Sequence, residues 1–465
     1  MTITADKTKA LSIFTIVMIT ITSVDSIRNL PATALFGSPL IFFFIMAGLF
    51  FLVPSALVSS ELATGWPKTG GVYVWVREAF GEKTGFFAIW FQWVENVIWY
   101  PTILAFVAGS LAYLISPALA NNRFYLCGVI IGTFWALTFI NMAGLKSSAR
   151  FSAVCGIGGL IIPMILIIGL GITWVATGHD LQIDFKLHHL LPDAHDTSMM
   201  VSLTGVVLCF CGIEIATAHA SDVKNPQRDY PRALLISVLF IFFTMLLASL
   251  SIAIIVPGNQ LSLVSGVMQA FSKFFVADHI SWMTPILALA IVIGSLGGVS
   301  NWIIAPNRGL LVALNDAEVG GYLRTETSTG APIGLLLYQG VLVTLLACLF
   351  LFMPTINSSY WILTAMTAQL YMGMYILMFA AAIYLRYKRP DTPRAFRIPG
   401  GKLGIWLVSC SGIIVSIITI VIGFFPPKNI DLPSLLHYEI TMVTWLLIMC
   451  CPPLIFFGVK QFRRN

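Results

Sequence analysis

Twelve apolar stretches, each long enough to cross a lipid bilayer, follow one another along this chain with short polar connections between them. A transmembrane helix needs about 20 apolar residues, and a helix satisfies its backbone polar groups within the span, as lipid requires. The sequence therefore predicts an all-α integral membrane protein that forms a single transmembrane domain over residues 1–465. The predicted spans cover residues 11–36, 38–60, 85–115, 123–143, 151–177, 199–219, 233–256, 282–305, 332–353, 360–386, 404–425 and 438–458.

Composition and charge support a membrane protein and predict its orientation. Charged residues make up only 10% of the chain, whereas soluble domains carry about 25%. Of the 26 lysines and arginines, 21 lie on one side of the predicted membrane, the side that holds both termini. Positive charge marks cytoplasmic loops, so we predict that both termini lie in the cytoplasm. The net charge of +6 is explained by these loops and does not indicate a nucleic-acid partner.

Two of the predicted spans are interrupted by polar residues. The first carries Asp25 and Arg28 within the segment TSVDSIRNLP, and the sixth contains CGIEIATAH around Gly212. Charged groups inside a span are tolerated where they face protein or a water-filled cavity. We therefore predict that helices 1 and 6 are discontinuous, which is typical of a transporter that binds its substrate between two broken helices.

The spacing of the two interruptions predicts an internal repeat. Spans 1 and 6 lie five spans apart, and because five is odd, a repeat of five spans must be inverted across the membrane. The predicted architecture is a 5+5 inverted repeat with two appended helices. The first repeat covers residues 11–177, the second covers residues 199–386, and helices 11 and 12 cover residues 404–458.

The residues at the first break allow a functional and a structural interpretation. Ser23 and Ser26 either contact the ligand or hydrogen-bond to the preceding turn of the helix. Asp25 and Arg28 are three residues apart and share a face if that turn is helical. They then either form an internal ion pair, or Arg28 binds a substrate carboxylate while Asp25 binds an ammonium group or a proton.

Three further titratable groups are candidates for proton coupling or gating. Glu95 lies in the middle of span 3 and either pairs with Arg28 or carries a coupling proton. Glu214 follows Gly212 in the second break and is either a gate or proton site near the substrate, or a hydrogen-bond acceptor for amides of the broken helix. His219, near the inner end of span 6, is either a pH sensor or an interfacial histidine with satisfied hydrogen bonds.

We interpret two connections on the predicted outer side as structural elements. The connection over 178–198 contains four histidines and four aspartates, but their spacing matches no standard metal site. We interpret it as a solvated, pH-responsive loop and expect no metal and no cofactor. The connection over 257–281 includes GVMQAFSKFF at residues 266–275, which is compatible with a surface helix, a lid or a packing element.

Several motifs resemble those of a known transporter group. They are SELATGWPKTGGVYVWV at 60–76, SDVKNPQRDYPRA at 221–233, SNWIIAPNRG at 300–309 and RAFRIPGGK at 394–402. Together they resemble the amino acid–polyamine–organocation superfamily, and within it the bacterial glutamate:GABA antiporter family. The resemblance implies a LeuT-like fold of twelve helices and amino acid substrates bound at the breaks in helices 1 and 6. It also implies that Glu214, Trp302, Tyr371 and Tyr375 lie at or near the substrate.

The chain departs from the glutamate:GABA antiporters at the site itself. Arg28 and Leu30 stand where those proteins have an aromatic-rich break, Asp25 replaces an apolar residue, and Glu95 replaces a glutamine. Those antiporters also have a folded C-terminal plug, which we do not expect here because few residues follow the last span.

The function predicted from the sequence is secondary amino acid transport and not enzyme catalysis. We expect an antiporter that works by alternating access on glutamate, GABA or another polar or charged amino acid. The alternatives are a proton-coupled symporter and a membrane sensor that binds amino acids without transporting them. The expected partners are the amino acid and the lipid bilayer, and the sequence leaves coupling protons and a homo-oligomer open.

Overall fold

A computed structural model describes residues 12–68, 70–143, 156–192, 200–216, 226–327, 330–428, 430–431 and 434–462. Secondary structure in these residues is helical, and they contain no strand. The prediction of an all-α protein is confirmed. The described helices pack around one extensive apolar core, which includes large buried side chains such as Trp75, Trp93 and Trp361.

Eleven helices in the described part of the chain are long and apolar enough to cross a membrane. They cover Ile13–Ala34, Leu40–Gly65, Glu82–Ile115, Arg123–Met142, Ile157–Ala176, Arg232–Ala253, Met283–Asp316, Ile333–Phe352, Ile356–Lys388, Gly401–Ile422 and Leu435–Lys460. A shorter apolar helical segment, Ser202–Ile215, stands at the position of the predicted sixth span. We call these twelve elements spans 1 to 12 in chain order, with Ser202–Ile215 as span 6.

Span 8 shows why some predicted boundaries were wrong. The sequence prediction ended this span at residue 305, immediately before Pro306, but the helix continues as Met283–Asp316 with the proline inside it. Span 3 likewise runs through Pro101 as Glu82–Ile115. Membrane helices tolerate proline because neighbouring helices and local adjustments satisfy the freed backbone groups. A proline therefore marks the end of a span less reliably here than in a soluble protein.

The packing partners of the spans recur at a spacing of five. Span 1 packs against span 7 and span 6 against span 2, whereas span 5 packs against span 8 and span 10 against span 3. Adding five to both members of the pair 1–7, counted around ten spans, gives the pair 6–2. Adding five to both members of the pair 5–8 gives the pair 10–3. Two structurally equivalent halves would produce this relation. We therefore propose residues 11–177 and 199–386 as the two repeats, with spans 11 and 12 outside them.

The connection between spans 7 and 8 covers the C-terminal end of span 1. It contains the predicted helix, which runs over Gly266–Ala277, but most of its residues are buried, so it is a packing element and not a surface helix. A Cβ atom on Gly266 would lie 2.9 Å from Pro31. Asn357, at the start of span 10, holds this connection, since its amide donates to Leu261 O at 3.0 Å and accepts from Leu263 N at 2.9 Å.

Buried charges join elements at the opposite end of span 10. The Glu61 carboxylate at the end of span 2 accepts a hydrogen bond from Arg386 of span 10 and another from the Ile398 amide at 2.8 Å. Arg394 Nε lies 3.6 Å from the same carboxylate, and the Arg394 guanidinium stacks 5.1 Å from the Trp66 ring. This cluster, which we call the Glu61 cluster, fastens the connection before span 11 to spans 2 and 10.

Candidate functional site

Span 1 is broken at Asp25 and Ser26. The helix Ile13–Val24 ends where the Asp25 amide donates to Ile21 O at 2.8 Å, and Asp25 (ψ 129°) and Ser26 (φ −144°, ψ 105°) are then extended. A 3₁₀ turn, Ile27–Asn29, and the helix Leu30–Ala34 complete the span. The prediction of a discontinuous helix holds for this segment of the structure. A shared helical face for Asp25 and Arg28 does not exist, because the backbone between them is extended.

Span 6 is broken at Gly212. The helix Ser202–Cys209 is followed by a turn and by the short helix Ile213–Ala216. Gly212 has a φ of +103°, which side chains other than glycine rarely adopt. A Cβ atom there would lie 3.0 Å from the Ser23 carbonyl oxygen. Glycine therefore permits both the turn of the chain and the close approach of the two breaks.

A cavity of about 930 Å³ lies at the two breaks, with walls from spans 1, 3, 5, 6, 8 and 10. Along span 1 it reaches from Phe14 to Asn29, whereas the helix Leu30–Ala34 beyond is fully buried. The cavity is thus open along the N-terminal half of span 1 and closed toward the C-terminal half. The predicted site residues that line it are Ser23, Asp25, Ser26, Arg28, Glu95, Gly212, Trp302 and Tyr371.

Arg28 occupies the closed end of the cavity and has no acidic partner in the described part of the chain. It is only 2% exposed, Nη1 donates to Thr102 Oγ1 at 2.6 Å, and the guanidinium lies 5.3 Å from the Trp99 ring centre. Nε has no hydrogen-bond partner within the described ranges. No carboxylate of the described residues lies within 4 Å of this guanidinium. Ion pairs with Asp25 or with Glu95, which the sequence left open, are therefore not formed in this structure.

Asp25 and Glu95 are buried carboxylates that also lack a cationic partner among the described residues. Asp25 Oδ2 lies 3.1 Å from Thr244 Oγ1 of span 7, and Glu95 Oε2 accepts from the neighbouring Asn96 Nδ2 at 3.0 Å. Both line the cavity and are 6% and 4% exposed, respectively. Glu95 is close enough to Glu214 and to Arg28 for their charges to interact, but it forms no ion pair with Arg28. The cavity therefore presents one guanidinium and two carboxylates that are held apart.

Glu214 and Tyr375 lie behind the cavity wall. Glu214 Oε1 accepts from Tyr371 Oη at 2.7 Å and from Gln92 Nε2 at 3.2 Å, and Oε2 accepts from Tyr375 Oη. The Gly212 amide donates to the same Tyr375 oxygen at 3.0 Å. These contacts fix the second break to span 10. His219, the third candidate for proton coupling, lies outside the described residues.

The small hydroxyl residues of the first break follow the structural interpretation in part. The Ser23 hydroxyl donates to Ile19 O at 2.7 Å and the Thr22 hydroxyl donates to Met18 O at 2.8 Å, both in the preceding turn. Ser26, in contrast, is extended and lines the cavity.

Comparison with known proteins identifies the family. A family model described as amino acid permease matches residues 11–448. The chain belongs to the amino acid permease family. This confirms the resemblance that the motifs indicated, and it makes the chain an integral membrane transporter and not an enzyme.

Three relatives of this permease span nearly the whole chain. An uncharacterised transporter of Legionella pneumophila is 44% identical over 96% of both chains. A glutamate/gamma-aminobutyrate antiporter of Lactococcus lactis is 29% identical over 98% of this chain and 92% of its own. A probable agmatine/putrescine antiporter of Lactococcus lactis is 23% identical over 89% of this chain and 88% of its own.

Sequence reasoning missed three residues that hold the charged groups of the permease site. They are Thr102 beside Arg28, Thr244 beside Asp25, and Gln92 beside Glu214. Thr102 and Thr244 are common residue types in a membrane helix, and each of the three contacts a residue more than 70 positions away in the chain. No local pattern in the sequence distinguishes them from helix-packing residues.

The connection after span 5, which the sequence analysis predicts to be on the outer side, is polar in its described residues. The Asp184 carboxylate lies 3.2 Å from His189 Nδ1 and 3.4 Å from Lys186 Nζ, and a hydrogen bond from the Lys186 amide lowers the Asp184 pKa. Ser38 Oγ donates to the Asp184 carbonyl at 2.5 Å, so this connection packs on the turn between spans 1 and 2. Within the described residues, no group of three or more His, Cys, Asp or Glu side chains is placed to hold a metal ion.

Proposed function

We propose that this permease is a secondary amino acid antiporter that binds its substrate between the breaks in spans 1 and 6 and works by alternating access. The observation that carries the proposal is Arg28, a buried guanidinium at the closed end of the cavity that has no acidic partner among the residues the structure describes. A buried charge is stable only when it is compensated. A substrate that brings a carboxylate supplies this compensation, and the relatives of this permease include glutamate/gamma-aminobutyrate antiporters of Lactococcus lactis.

The first break offers binding groups for both ends of an amino acid. The backbone amides of Ser26, Ile27 and Arg28, at the start of the second half-helix, have no hydrogen-bond acceptor among the described residues. Such free amides and the positive end of the helix dipole favour a carboxylate. The carbonyls that end the first half-helix, together with Asp25, favour an ammonium group.

We also propose an orientation of the protein in the membrane. Lysine and arginine counts place both termini in the cytoplasm, and the cavity opens along the N-terminal half of span 1. The cavity then faces the cytoplasm, and the connection over Gly266–Ala277 closes the outer side. Substrate would enter or leave on the cytoplasmic side in this state.

Proton-coupled transport is a second candidate, supported by Glu95 and Asp25. Both are buried carboxylates that line the cavity and have no cationic partner among the described residues. A buried carboxylate without compensation tends to bind a proton. Uptake that needs a pH gradient and no exchange substrate would favour this candidate over antiport.

Counterflow into proteoliposomes loaded with single amino acids, GABA or agmatine tests the proposal. We expect uptake that depends on a substrate inside the vesicle. In Arg28→Met, we expect affinity for carboxylate-bearing substrates to fall about tenfold to a hundredfold, because a hydrogen bond to a charged group contributes about 1.5–3 kcal/mol. Arg123→Met, which removes an arginine at the start of span 4 and outside the cavity, is the matched control.

Two results would reject the proposal. Unchanged affinity in Arg28→Met would show that Arg28 has a structural role only. Absence of flux for every substrate, while a ligand still raises the melting temperature, would instead indicate a membrane sensor.

A further inference from the structure

The connection between spans 10 and 11 concentrates positive charge at one membrane surface. Residues 386–402 contain six lysines and arginines and a single aspartate. Two of the cations, Arg386 and Arg394, belong to the Glu61 cluster and serve the fold. The other four are exposed and have no carboxylate of the described residues within 4 Å: Lys388, Arg389, Arg397 and Lys402. These four side chains give the connection a cationic surface that the described part of the protein does not neutralise.

Hydrogen bonds fasten this connection to the end of span 10. Arg394 Nη2 donates to Leu385 O at 3.0 Å and to Arg389 O at 3.1 Å. Arg397 Nη2 donates to Pro390 O at 2.9 Å. The backbone that carries the exposed cations is therefore held in place by the fold.

The cation Lys402 is held against two aromatic side chains where the connection meets the spans. Lys402 Nζ lies 5.0 Å from the centre of the Tyr387 ring, and Trp406 Nε1 donates to Tyr387 Oη at 3.0 Å. Tyr387 and Trp406 are 47% and 46% exposed. Tyrosine and tryptophan are enriched at the level of the lipid headgroups, where the ring meets apolar tails and the polar end meets water. We call Tyr387, Lys402 and Trp406 the aromatic–lysine cluster.

The first turns of span 11 extend this surface toward the apolar part of the membrane. Leu403 and Leu407 are 68% and 64% exposed and follow Lys402 and Trp406 in the helix Gly401–Ile422. Residues four apart share a helix face. The same face thus changes from cationic to aromatic to aliphatic within about 8 Å along the helix axis.

A phospholipid presents groups that match this order. Its charged headgroup lies outermost, its interfacial region follows, and its acyl chains lie innermost. A zwitterionic headgroup brings a cation of its own, which the four lysines and arginines repel, whereas an anionic headgroup brings a net negative charge. Basic clusters at the cytoplasmic end of a transmembrane helix attract anionic lipids. This connection lies on the side of both termini, which the charge distribution predicts to be cytoplasmic.

We propose that the aromatic–lysine cluster, with the neighbouring cations Lys388 and Arg389, binds the headgroup of an anionic phospholipid in the cytoplasmic leaflet. Lys402 contacts the phosphate, and the acyl chains lie along the aliphatic face of span 11. The inference is independent of the proposed transport function, because lipid binding is measured without flux.

Native mass spectrometry of the purified protein in detergent gives the first test. Phosphatidylglycerol and phosphatidylcholine with identical acyl chains would be titrated separately, and the affinity for the first bound lipid compared. We expect phosphatidylglycerol to bind at least about fivefold more tightly and Lys402→Gln to lose about fivefold of that affinity, since each lysine near an anionic headgroup contributes about this factor. Equal affinity for the two lipids, or unchanged affinity in Lys402→Gln, would overturn the inference.

Arg324→Gln is the matched control for a general attraction between basic connections and anionic lipid. Arg324 ends the turn Gly321–Arg324, is exposed and lies on the same predicted side of the membrane between spans 8 and 9. We expect this variant to keep the affinity for phosphatidylglycerol. A loss equal to that of Lys402→Gln would show that the attraction is not localised, and would overturn the inference.

Tryptophan fluorescence in nanodiscs tests the position of the bound lipid. The protein would be placed in phosphatidylcholine that contains a small fraction of brominated phosphatidylglycerol or brominated phosphatidylcholine, since bromine quenches a nearby indole. The signal of Trp406 is the difference between the unmodified protein and Trp406→Phe. We expect brominated phosphatidylglycerol to quench this signal more than brominated phosphatidylcholine does, and Lys402→Gln to remove the difference.

Trp282 supplies the control for quenching. It is 65% exposed and precedes span 8 on the opposite predicted side of the membrane. Its signal, obtained from Trp282→Phe, is expected to respond equally to the two brominated lipids. Equal quenching of Trp406 by the two lipids would place no anionic headgroup at the aromatic–lysine cluster and would overturn the inference.

Discussion

Replacing Glu61 with glutamine is expected to destabilise the protein strongly. The Glu61 side chain is 3% exposed, and the Arg394 and Arg386 side chains that surround it are 1% and 10% exposed. The change would keep the shape of the side chain but leave two buried guanidinium groups without an anion. Removing one partner of a buried ion pair costs about 3–5 kcal/mol. Burial already lowers the pKa of Arg394, which indicates that this site has little solvation to replace the lost charge.

The expected loss is large enough to measure against a surface pair in the same protein. Lys68 and Glu78 lie 3.8 Å apart with side chains that are 62% and 26% exposed, and such pairs contribute about 0–1 kcal/mol. Thermal denaturation in detergent, followed by size-exclusion chromatography, would compare Glu61→Gln with Glu78→Gln. We expect the midpoint temperature to fall clearly in the first variant and to stay close to the unmodified value in the second.

A double variant separates charge compensation from general damage. In Glu61→Gln combined with Arg386→Gln, one of the two unpaired guanidinium groups is removed together with the carboxylate. We expect the combined loss to be smaller than the sum of the two single losses, because the two residues interact directly. Additive losses, or a Glu61→Gln midpoint equal to that of Glu78→Gln, would refute the reasoning.

Two further changes test the second break and the connection between spans 7 and 8. Gly212→Ala places a Cβ atom 3.0 Å from Ser23 O at a φ of +103°, which costs about 1–3 kcal/mol of strain. We therefore expect the ligand affinity measured by equilibrium binding to fall. Gly128→Ala, with open space around the new Cβ atom, should leave the affinity unchanged. Asn357→Ala removes both hydrogen bonds to the connection between spans 7 and 8, so we expect faster hydrogen exchange at Leu263 by mass spectrometry. Unchanged exchange would show that packing alone holds this connection.

The sequence predicted those features that follow from the cost of exposing polar groups to lipid. The apolar stretches required helices, and the charges at Asp25 and Arg28 required a break or a cavity in the first span. The structure agrees on both points, with an interruption at Asp25–Ser26 and a cavity beside it. These predictions used only local composition, because the bilayer itself supplies the physical constraint.

The sequence could not predict which buried groups pair with one another. Arg28 had acidic candidates three residues away and in span 3, yet it contacts Thr102 and Trp99 instead. The extended backbone at Asp25 and Ser26 separates the charged side chains of Asp25 and Arg28. In a helix, a shift of one residue along the chain changes which side chain faces a neighbouring span. Such choices depend on the packing of the whole bundle and leave no local pattern.

The two broken helices are tied to different parts of the molecule. Asp25 in the first break lies against Thr244 of span 7, whereas Gly212 and Glu214 in the second break are hydrogen-bonded to Tyr375 of span 10. A displacement of span 7 relative to span 10 would therefore change the width of the gap between the breaks. If an amino acid binds between the two breaks, as proposed above, it would act as a spacer of fixed length, and its size would set the separation between span 7 and span 10.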